Sequence, residues 1–346
     1  MIEQLTETVR AAASRRQPLR IRGSGSKDFY AHSLQGEVLD MRAHAGIVEY
    51  ERTELVITAK AGTPLKEVEA TLAGGNQMLA CEAPHLGETA TLGGCVAAGF
   101  SGPRRVQAGS VRDFVLGTKV MTASGDVQNF GGQVMKNVAG FDVSRLMTGS
   151  FGTLGLLLEV SLKVLPRPDE EVTLRFDVDE ADAIERMNRW AGQPLPISAT
   201  CYVDEALYVR LSGSGLGVGA ARAKLGGDRL SDAAAFWESV REQRLAAFEG
   251  ATLWRLSIRS TTPPLNLSGK QVIEWNGALR WIAGDVPAET IFAVARKAGG
   301  HAMRFRGALP APLLQLDPGT LTLHRRLKAA LDPIGIFGPQ RLHPDF

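Results

Sequence analysis

The chain has 346 residues, of which 44% are hydrophobic and 22% charged, and its formal net charge is +2 at pH 7. This length favours two domains over a single core, and the near-neutral charge excludes the strongly basic field of a nucleic-acid-binding protein. Its three cysteines, none in a C-x-x-C pair, argue against a disulfide framework, a structural zinc site and an iron–sulfur cluster held by this chain alone.

The N-terminal segment carries acidic residues and lacks the apolar core of a signal peptide, and no window of about 18 apolar residues occurs. We therefore expect a protein of the reducing cytosol without a membrane span. An amphipathic helix is predicted at residues 2–14, where Ile2, Leu5 and Val9 recur at helical spacing.

Short strands and helices alternate over the first half of the chain. Strands are predicted at residues 19–22, 37–40, 47–50, 55–59, 117–122, 126–130 and 154–164. Thr63 as cap and Pro64 at the first helical position predict a helix that ends at Gly74. The last strand is the clearest, because apolar residues from Leu154 to Val164 alternate along one face.

The stretch from Gly87 to Asp113 is rich in small residues, which let a backbone approach a neighbouring group closely. Residues Thr91 to Gly94 can present several N–H groups in an anion-binding turn, and residues 95–99 fit a short helix behind it. We therefore predict that this stretch wraps a large phosphate-bearing cofactor. Taken alone, a motif of this kind is more often a glycine-rich surface loop.

Two further glycine clusters strengthen the cofactor hypothesis. Residues 22–27 read Arg-Gly-Ser-Gly-Ser-Lys directly after a predicted strand and form a polar turn suited to holding a diphosphate. Asp28 stands where a dinucleotide fingerprint needs its third glycine, so a Rossmann site is not expected. The third cluster, at residues 149–155, leads into the clearest strand.

Two prolines followed by a charge run at residues 166–171 predict a domain boundary. The order strand–helix–strand–strand–helix–strand beyond it predicts a split βαβ arrangement that the strand at 253–258 closes. The predicted strands are 172–178, 197–203, 206–211, 253–258, 278–283 and 301–306. The predicted helices are 179–191, 232–249 and 288–298, and a further helix is predicted directly after a glycine-rich interruption at 213–219. A last helix begins at Asp317-Pro318, and we expect its Pro/Gly-rich tail to return to the first domain.

The order of these motifs resembles the flavoprotein family named after vanillyl-alcohol oxidase and p-cresol methylhydroxylase. Arg22–Lys27 is similar to the family's R-G-G-G-x-S loop, and Ala90–Gly102 is similar to its A-T-I-G-G…N-A-S-G segment. Ala108–Asp113 resembles Y-G-x-x-R-D, Lys136–Asp142 resembles K-N-x-A-G-Y-D, and Gly149–Gly155 resembles G-S-E-G-T-L-G. Five motifs in the same order make the resemblance specific for about the first half of the chain.

The resemblance implies an α+β fold. A two-subdomain FAD-binding domain would occupy residues 1–168, an α+β, ferredoxin-like cap domain residues 169–306, and a C-terminal segment that docks on the FAD domain residues 307–346. The resemblance also implies which residues hold FAD. These are Arg22, Gly23, Ser24, Gly25, Ser26, Lys27, Thr91, Leu92, Gly93, Gly94, Gly99, Ser101, Gly102, Gly109, Ser110, Asp113, Gly152, Gly155, Leu156 and Leu157.

Within this family the chain resembles the FAD-binding subunits of bacterial glycolate oxidases, a likeness that extends to residues 299–302 and 332–337. This implies a complex that oxidises glycolate, a 2-hydroxy acid, to glyoxylate, with a second FAD-binding subunit and an iron–sulfur subunit as partners. It implies a cytoplasmic location, with peripheral association at the inner face of the cell membrane through the partners. Two alternatives stay open: a stand-alone FAD-dependent oxidoreductase for another small hydroxyl substrate, and a non-catalytic assembly subunit that keeps the flavin fold.

The sequence departs from the family pattern at several positions. Phe151 replaces a glutamate, and the tail reads Gly-Pro-Gln-Arg at residues 338–341 where N-P-G-R or N-P-G-K is usual. No histidine lies at residues 22–27 or 90–102, where relatives carry a covalent flavin bond, so we expect non-covalent FAD. The G-D-G-N-x-H motif of the larger sister subunit is missing, so no metal site is expected.

Two residues are candidates for catalysis. Arg341 could place a positive charge near the pyrimidine ring of the flavin, and a tail arginine in a surface ion pair is the equal alternative. His301 could take a hydroxyl proton, although a structural hydrogen bond at the end of a strand is the more common role of such a histidine.

Overall fold

A computed structural model describes residues 1–132, 142–307 and 314–346. Its α-helices are α1 (Ile2–Arg15), α2 (Leu65–Gly74), α3 (Leu92–Ala98), α4 (Arg105–Ala108), α5 (Val111–Phe114), α6 (Val143–Leu146), α7 (Glu180–Ala191), α8 (Gly215–Leu225), α9 (Ala233–Arg241), α10 (Ala288–Lys297) and α11 (Pro318–Leu331). Its strands are β1 (Leu19–Arg22), β2 (Glu37–Asp40), β3 (Ile47–Glu51), β4 (Val56–Lys60), β5 (Gln77–Met78), β6 (Val115–Met121), β7 (Val127–Gly131), β8 (Leu156–Lys163), β9 (Leu165–Pro166), β10 (Glu170–Asp177), β11 (Ile197–Val203), β12 (Ala206–Gly213), β13 (Asp228–Arg229), β14 (Leu253–Ser257), β15 (Lys270–Glu274), β16 (Leu279–Ala283) and β17 (His301–Arg306). Short 3-10 turns lie at Ala246–Phe248 and Trp275–Gly277.

The chain forms two compact units. The first contains Met1–Ser101, Ser110–Pro166 and Leu316–Phe346, and the second contains Gly102–Gly109 and Arg167–Gln315. Along the described residues, no helix combines the length and the apolar character needed to cross a membrane.

The first unit is built on an antiparallel five-stranded sheet in the order β3-β4-β8-β6-β7. The middle strand β8 is largely buried on both faces. Leu156 and Leu158 of this strand pack with Leu5 and Val9 of α1, which explains the amphipathic pattern of both segments. Strands β1 and β2 form a separate parallel pair. Because β1 ends at Arg22, the 22–27 turn follows it directly.

The C-terminal tail packs in this first unit. The amide of Leu19 in β1 donates to the carbonyl of Ile336 at 2.7 Å, and the amide of Gly338 donates to the carbonyl of Leu19 at 2.8 Å. Asp317 caps α11 by accepting hydrogen bonds from the amides of Gly319 and Thr320, with Pro318 at the first helical position, as predicted.

Two predicted helix starts in the first unit were wrong by one turn or less. Helix α2 begins at Leu65 rather than at Pro64, because the Thr63 hydroxyl is used elsewhere: it donates to the Lys60 carbonyl at 2.7 Å. Helix α3 begins at Leu92 rather than at Cys95, because Thr91 caps it by accepting from the Gly94 amide. The predicted anion-binding turn is therefore itself the first turn of the helix.

The second unit contains an eight-stranded antiparallel sheet in the order β13-β10-β12-β11-β15-β16-β14-β17. Strands β10, β11, β12 and β13 follow the order 4-1-3-2, and strands β14 to β17 repeat that order in mirror arrangement across the β11–β15 pair. Both halves therefore have the strand order of a split βαβ unit, which confirms the ferredoxin-like expectation.

The prediction that strand 253–258 closes the first split βαβ unit was wrong. The closing strand is Asp228–Arg229, which pairs with β10, while Leu253–Ser257 belongs to the second half of the sheet. Both residues of the closing strand are exposed and polar, so no hydrophobic alternation signals it. The strand Lys270–Glu274 was not predicted for a similar reason, since only its C-terminal half is buried.

Two helix predictions in the second unit also need correction. The predicted helix at 232–249 ends at Arg241, and Gln243 then adopts a left-handed conformation with φ of 55°. The predicted glycine-rich interruption at 213–219 is mostly helical, because Ser214 caps α8 by accepting from the Gly217 amide.

Candidate functional site

A cleft lies in the first unit. Most of its lining comes from four segments: the end of β1 with the following turn, α3 with its cap Thr91, the loop before β8 with the start of that strand, and the C-terminal tail. Met41 and Ala61 complete the lining. The residues that line the cleft are Ile21, Arg22, Gly23, Ser24, Gly25, Ser26, Lys27, Asp28, Met41, Ala61, Thr91, Gly93, Gly94, Ala97, Phe151, Gly152, Gly155, Leu157 and Arg341.

The 22–27 turn forms one wall of the cleft. Gly25 has a φ of 80°, and a Cβ there would overlap the Arg22 guanidinium, which is folded back over it. Arg22 Nε donates to Asp28 Oδ2 at 3.1 Å, so the turn is closed by an ion pair. Among the described residues, none accepts a hydrogen bond from the backbone amides of Ser24 or Gly25. These two N–H groups are therefore available to an acceptor in the cleft.

The start of α3 forms the facing wall. The Gly93 amide donates to the Ala61 carbonyl at 2.7 Å, and a Cβ on Gly93 would lie 2.7 Å from the Ala61 Cβ. Gly93 is therefore required for packing of the helix on the chain that follows β4. A Cβ on Gly94 would meet only the Thr91 hydroxyl, at 3.0 Å. Gly94 and Ala97, three residues apart, present a small, half-buried surface to the cleft.

Arg341 brings a buried cation to the cleft from the C-terminal tail. Its Nη2 lies 3.5 Å from Asp28 Oδ1 and donates to the Lys27 carbonyl at 3.5 Å, while its Nε is buried without a partner in the described structure. Burial lowers the pKa of Arg341, and Asp28 opposes this shift. A guanidinium stays charged at physiological pH in this environment, so an unsatisfied charged donor faces the cleft.

An aromatic cluster surrounds Phe151 at the rim of the cleft. The ring of Phe151 stacks on Tyr30 with a centroid distance of 5.0 Å, and Phe100 contacts both rings edge-on. The guanidinium of Arg341 lies 5.7 Å from the Phe151 ring centroid. Phe151 has a φ of 51°, which is uncommon for an aromatic residue, and its amide donates to the Ala97 carbonyl at 2.9 Å.

Thirteen of the residues predicted from the sequence line this cleft. They are Arg22, Gly23, Ser24, Gly25, Ser26, Lys27, Thr91, Gly93, Gly94, Gly152, Gly155, Leu157 and Arg341. The cleft also contains Ile21, Met41, Ala61 and Ala97, which sequence reasoning missed because apolar residues carry no local signal of a site. Asp28 was noted only as a missing glycine, although its position beside Arg22 was readable in the sequence.

Several predicted residues have structural roles and do not line the cleft. Leu156 is fully buried on the face of β8 opposite to Leu157. Leu92 is fully buried at the first position of α3. Gly99 ends α3 in a left-handed conformation with φ of 67°. The remaining residues of this group lie between Ser101 and Asp113.

The segment from Ser101 to Asp113 is held by local hydrogen bonds, and its predicted contacts with the cofactor stay a prediction. The Ser101 hydroxyl accepts from the Val111 amide at 3.0 Å, and Ser110 and Asp113 form a reciprocal capping box at α5. Gly102 belongs to the second unit, where its carbonyl accepts from Trp275 Nε1, and Gly109 ends α4 in that unit.

His301 lies in β17 of the second unit, opposite Ser257 of β14. Burial lowers the pKa of His301, and the positive charge of Arg255 lowers it further. A lowered pKa favours the neutral, proton-accepting form of the imidazole, although His301 is exposed at the first position of β17.

The motif predicted at Lys136–Asp142 lies outside the described residues except for Asp142, which caps α6 by accepting from the Arg145 amide. In the described ranges, no group of three or more His, Cys, Asp or Glu side chains is placed to hold a metal ion.

Three comparisons with known proteins bear on this site. A family model described as "FAD binding domain" matches residues 1–131. The glycolate oxidase subunit GlcE of Escherichia coli (strain K12) is 49% identical over 350 residues, which is 99% of this chain and 97% of that protein. The glycolate oxidase subunit GlcD of Bacillus subtilis (strain 168) is 30% identical over 184 residues, 52% of this chain and 39% of that protein. The structure of p-cresol methylhydroxylase with substrate bound has a TM-score of 0.71, covers 99% of this chain and 87% of that chain, and at 15% identity shows the same fold.

The cofactor that these relatives indicate is FAD, and the cleft fits it. Arg22, Lys27 and Arg341 outnumber the single carboxylate of Asp28, so the charged lining residues carry a net +2, which matches the two negative charges of a diphosphate. The amides of Ser24 and Gly25 and the buried Nε of Arg341 are donors that lack acceptors among the residues that the structure describes. Gly94 leaves space where a side chain would fill the cleft.

Proposed function

This chain belongs to the family of the glycolate oxidase subunit GlcE, whose members are FAD-dependent oxidoreductases, and we propose that it is the FAD-bearing subunit of a multi-subunit enzyme that oxidises glycolate to glyoxylate. Its proposed partners are a second FAD-binding subunit and an iron–sulfur subunit that carries electrons away. The observation that supports this most strongly is the 49% identity to GlcE, which spans both units of the chain.

The residues of the cleft would hold FAD without a covalent bond. The amides of Ser24 and Gly25 would donate to the diphosphate, with Arg22 and Lys27 compensating its charge. Gly94 and Ala97 would let the backbone of α3 approach the cofactor closely. When bound, FAD supplies an acceptor for two electrons, and the protein supplies position and electrostatics.

Two side chains are proposed to act on the reaction itself. Arg341, buried and charged at the cleft, would favour additional negative charge on the bound cofactor. His301 would take the hydroxyl proton of the 2-hydroxy acid, because its lowered pKa keeps the imidazole in its accepting form.

The proposal is tested with the purified chain, alone and co-expressed with the two proposed partner subunits. We expect the isolated chain to be yellow, to release its flavin into the supernatant on acid precipitation, and to reduce dyes with glycolate only in the complex. Full glycolate turnover by the isolated chain would refute the obligate-subunit proposal and favour a stand-alone enzyme.

A complex assembled with a FAD-free variant of this chain separates catalysis from scaffolding. The Gly94→Val variant, argued in the Discussion, provides such a chain. We expect that complex to assemble and to lose glycolate-dependent dye reduction. Undiminished activity would mean that the FAD site of this subunit is not used, as in a non-catalytic assembly subunit.

A further inference from the structure

Lys328 is the one side chain of helix α11 that is buried, with 8% of its surface exposed. Its ammonium donates to three acceptors: Thr153 O at 2.7 Å, Phe337 O at 2.6 Å and Asp332 Oδ2 at 2.7 Å. An ammonium has three N–H groups, so its hydrogen-bonding capacity is complete. The other residues of α11 are half-buried or exposed, so a buried lysine with all its donors satisfied has a specific task rather than a generic packing role.

Asp332 completes this arrangement one helical turn later and is 2% exposed. Besides Lys328, it accepts hydrogen bonds from the amides of Gly335, Ile336 and Phe337 at 3.0, 3.1 and 2.8 Å. The carboxylate thereby folds the tail into a compact turn. A buried ion pair costs desolvation free energy that an apolar pair would not, so its retention points to the geometry that it enforces.

The acceptors of Lys328 belong to two segments that line the cofactor cleft. Thr153 lies in the loop that contributes Phe151, Gly152 and Gly155 to the cleft. Phe337 lies in the tail that pairs with Leu19 at β1, and Arg341 follows it four residues later. One ammonium therefore joins the loop before β8 to the segment that carries the buried guanidinium.

We propose that Lys328 is a positioning residue for FAD. By binding the Thr153 and Phe337 carbonyls to one ammonium, it holds the loop before β8 beside the tail segment that carries the Arg341 guanidinium, before the cofactor arrives. Such preorganisation raises affinity without any contact between Lys328 and the ligand. The proposal depends on FAD binding and is independent of glycolate as the substrate.

The test compares two full-length variants, Lys328→Met and Val9→Ala. Methionine keeps the length of the side chain and removes the charge and the three donors. Val9 is fully buried in the hydrophobic cluster around α1 that also contains Phe337, so its truncation removes apolar packing behind the tail and leaves the hydrogen bonds of the Lys328 ammonium in place. We expect Lys328→Met to weaken FAD binding to the apoprotein by about tenfold or more, since an uncompensated buried Asp332 reorganises the tail. Val9→Ala should lower Tm while changing FAD affinity less than about twofold.

The readouts are the FAD dissociation constant from flavin fluorescence, the Tm of the apoprotein, and the visible circular dichroism of bound flavin. The losses in Tm show whether the two variants are destabilised to a similar degree. Equal FAD affinity of the two variants would overturn the proposal. If Lys328→Met does not fold, Asp332→Asn serves in its place, because it keeps side-chain size and removes the charge partner. The same order of affinities is then expected.

A double variant tests the route through Arg341. We expect Lys328→Met combined with Arg341→Gln to weaken FAD binding by clearly less than the product of the two single effects, because both act on the same guanidinium. Effects that multiply fully would refute the assignment of Lys328 to the positioning of Arg341.

Discussion

Replacing Gly94 by valine is expected to abolish FAD retention while leaving the fold intact. A Cβ at this position meets only the Thr91 hydroxyl, at 3.0 Å, so the remaining methyl groups extend into the cleft. Valine is a better helix former than glycine by a few tenths of a kcal/mol, which offsets the close contact at the cap. We therefore expect a change of at most about 1 kcal/mol in the free energy of unfolding.

The loss of FAD affinity should be far larger, because the two valine methyl groups occupy space that the cofactor needs. A loss of about 3 kcal/mol in binding, typical of severe overpacking, corresponds to a more than hundredfold increase in the dissociation constant. The apoprotein is titrated with FAD and followed by flavin fluorescence, and thermal unfolding is recorded for the same samples.

Two matched variants make the result interpretable. Gly93→Val places its Cβ 2.7 Å from the Ala61 Cβ and 2.9 Å from the Ala61 carbonyl, so it should destabilise the fold by about 1–3 kcal/mol. Gly219→Val, in α8 of the second unit, meets no atom within 4 Å and should leave both quantities unchanged. A Gly94→Val protein that binds FAD as tightly as the parent chain would refute the reasoning and return the turn to a surface-loop interpretation.

Three further outcomes are expected. Arg341→Gln should lower the reduction potential of bound FAD by on the order of 30 mV, which for two electrons equals about 1.4 kcal/mol, and an unchanged potential in dye-equilibrium titration would assign Arg341 to its ion pair with Asp28 alone. If His301 is the base, glycolate turnover should fall as the pH drops through the lowered pKa of its imidazole. His301→Gln should remove this acid limb of the pH profile, and an unchanged limb would exclude His301 as the base. The pKa of Asp317 is lowered by its hydrogen bond from Thr320 and by cap amides, so its stabilising effect is complete above about pH 3.8 and is lost as pH falls through the lower folded value. Thermal unfolding between pH 2 and 5 (about the range of carboxyl titration) should therefore show less acid sensitivity for Asp317→Asn than for the parent chain, and identical curves would contradict this.

The sequence signals for the loops that line the cleft are local, which is why sequence reasoning finds these loops. The glycines and hydroxyls of residues 22–27 and 91–94 are close in sequence, and each turn forms from its own residues. Phe151 and Met41 reach the same cleft through tertiary packing, which no local pattern records. The strand Asp228–Arg229 was missed because two exposed polar residues carry no periodicity.

Ser110 and Asp113 carry two signals in the sequence. The resemblance assigned both residues to FAD, whereas the spacing Ser-x-x-Asp is also the signature of a capping box, which the structure shows. The capping-box pattern was readable from the sequence, and the two hydrogen bonds from Ser110 to Asp113 Oδ2, at 2.7 and 2.8 Å, account for both side chains. A motif shared with a family therefore marks a position in the fold as readily as a contact with the cofactor.

The glycines around the cleft show why small residues alone do not define a binding site. Gly93 and Gly155 are glycines because protein atoms lie where a Cβ would stand: Ala61 at Gly93, and the Val120 side chain at 2.7 Å from Gly155. Gly94 is surrounded by open space on the side of the cleft. Both situations produce the same letter in the sequence, and only the three-dimensional neighbours distinguish them. The proposed cofactor site rests on the coincidence of that open space with a net positive charge and with donors that lack acceptors among the described residues. Asp28 contributes by holding the Arg22 and Arg341 side chains on either side of one carboxylate.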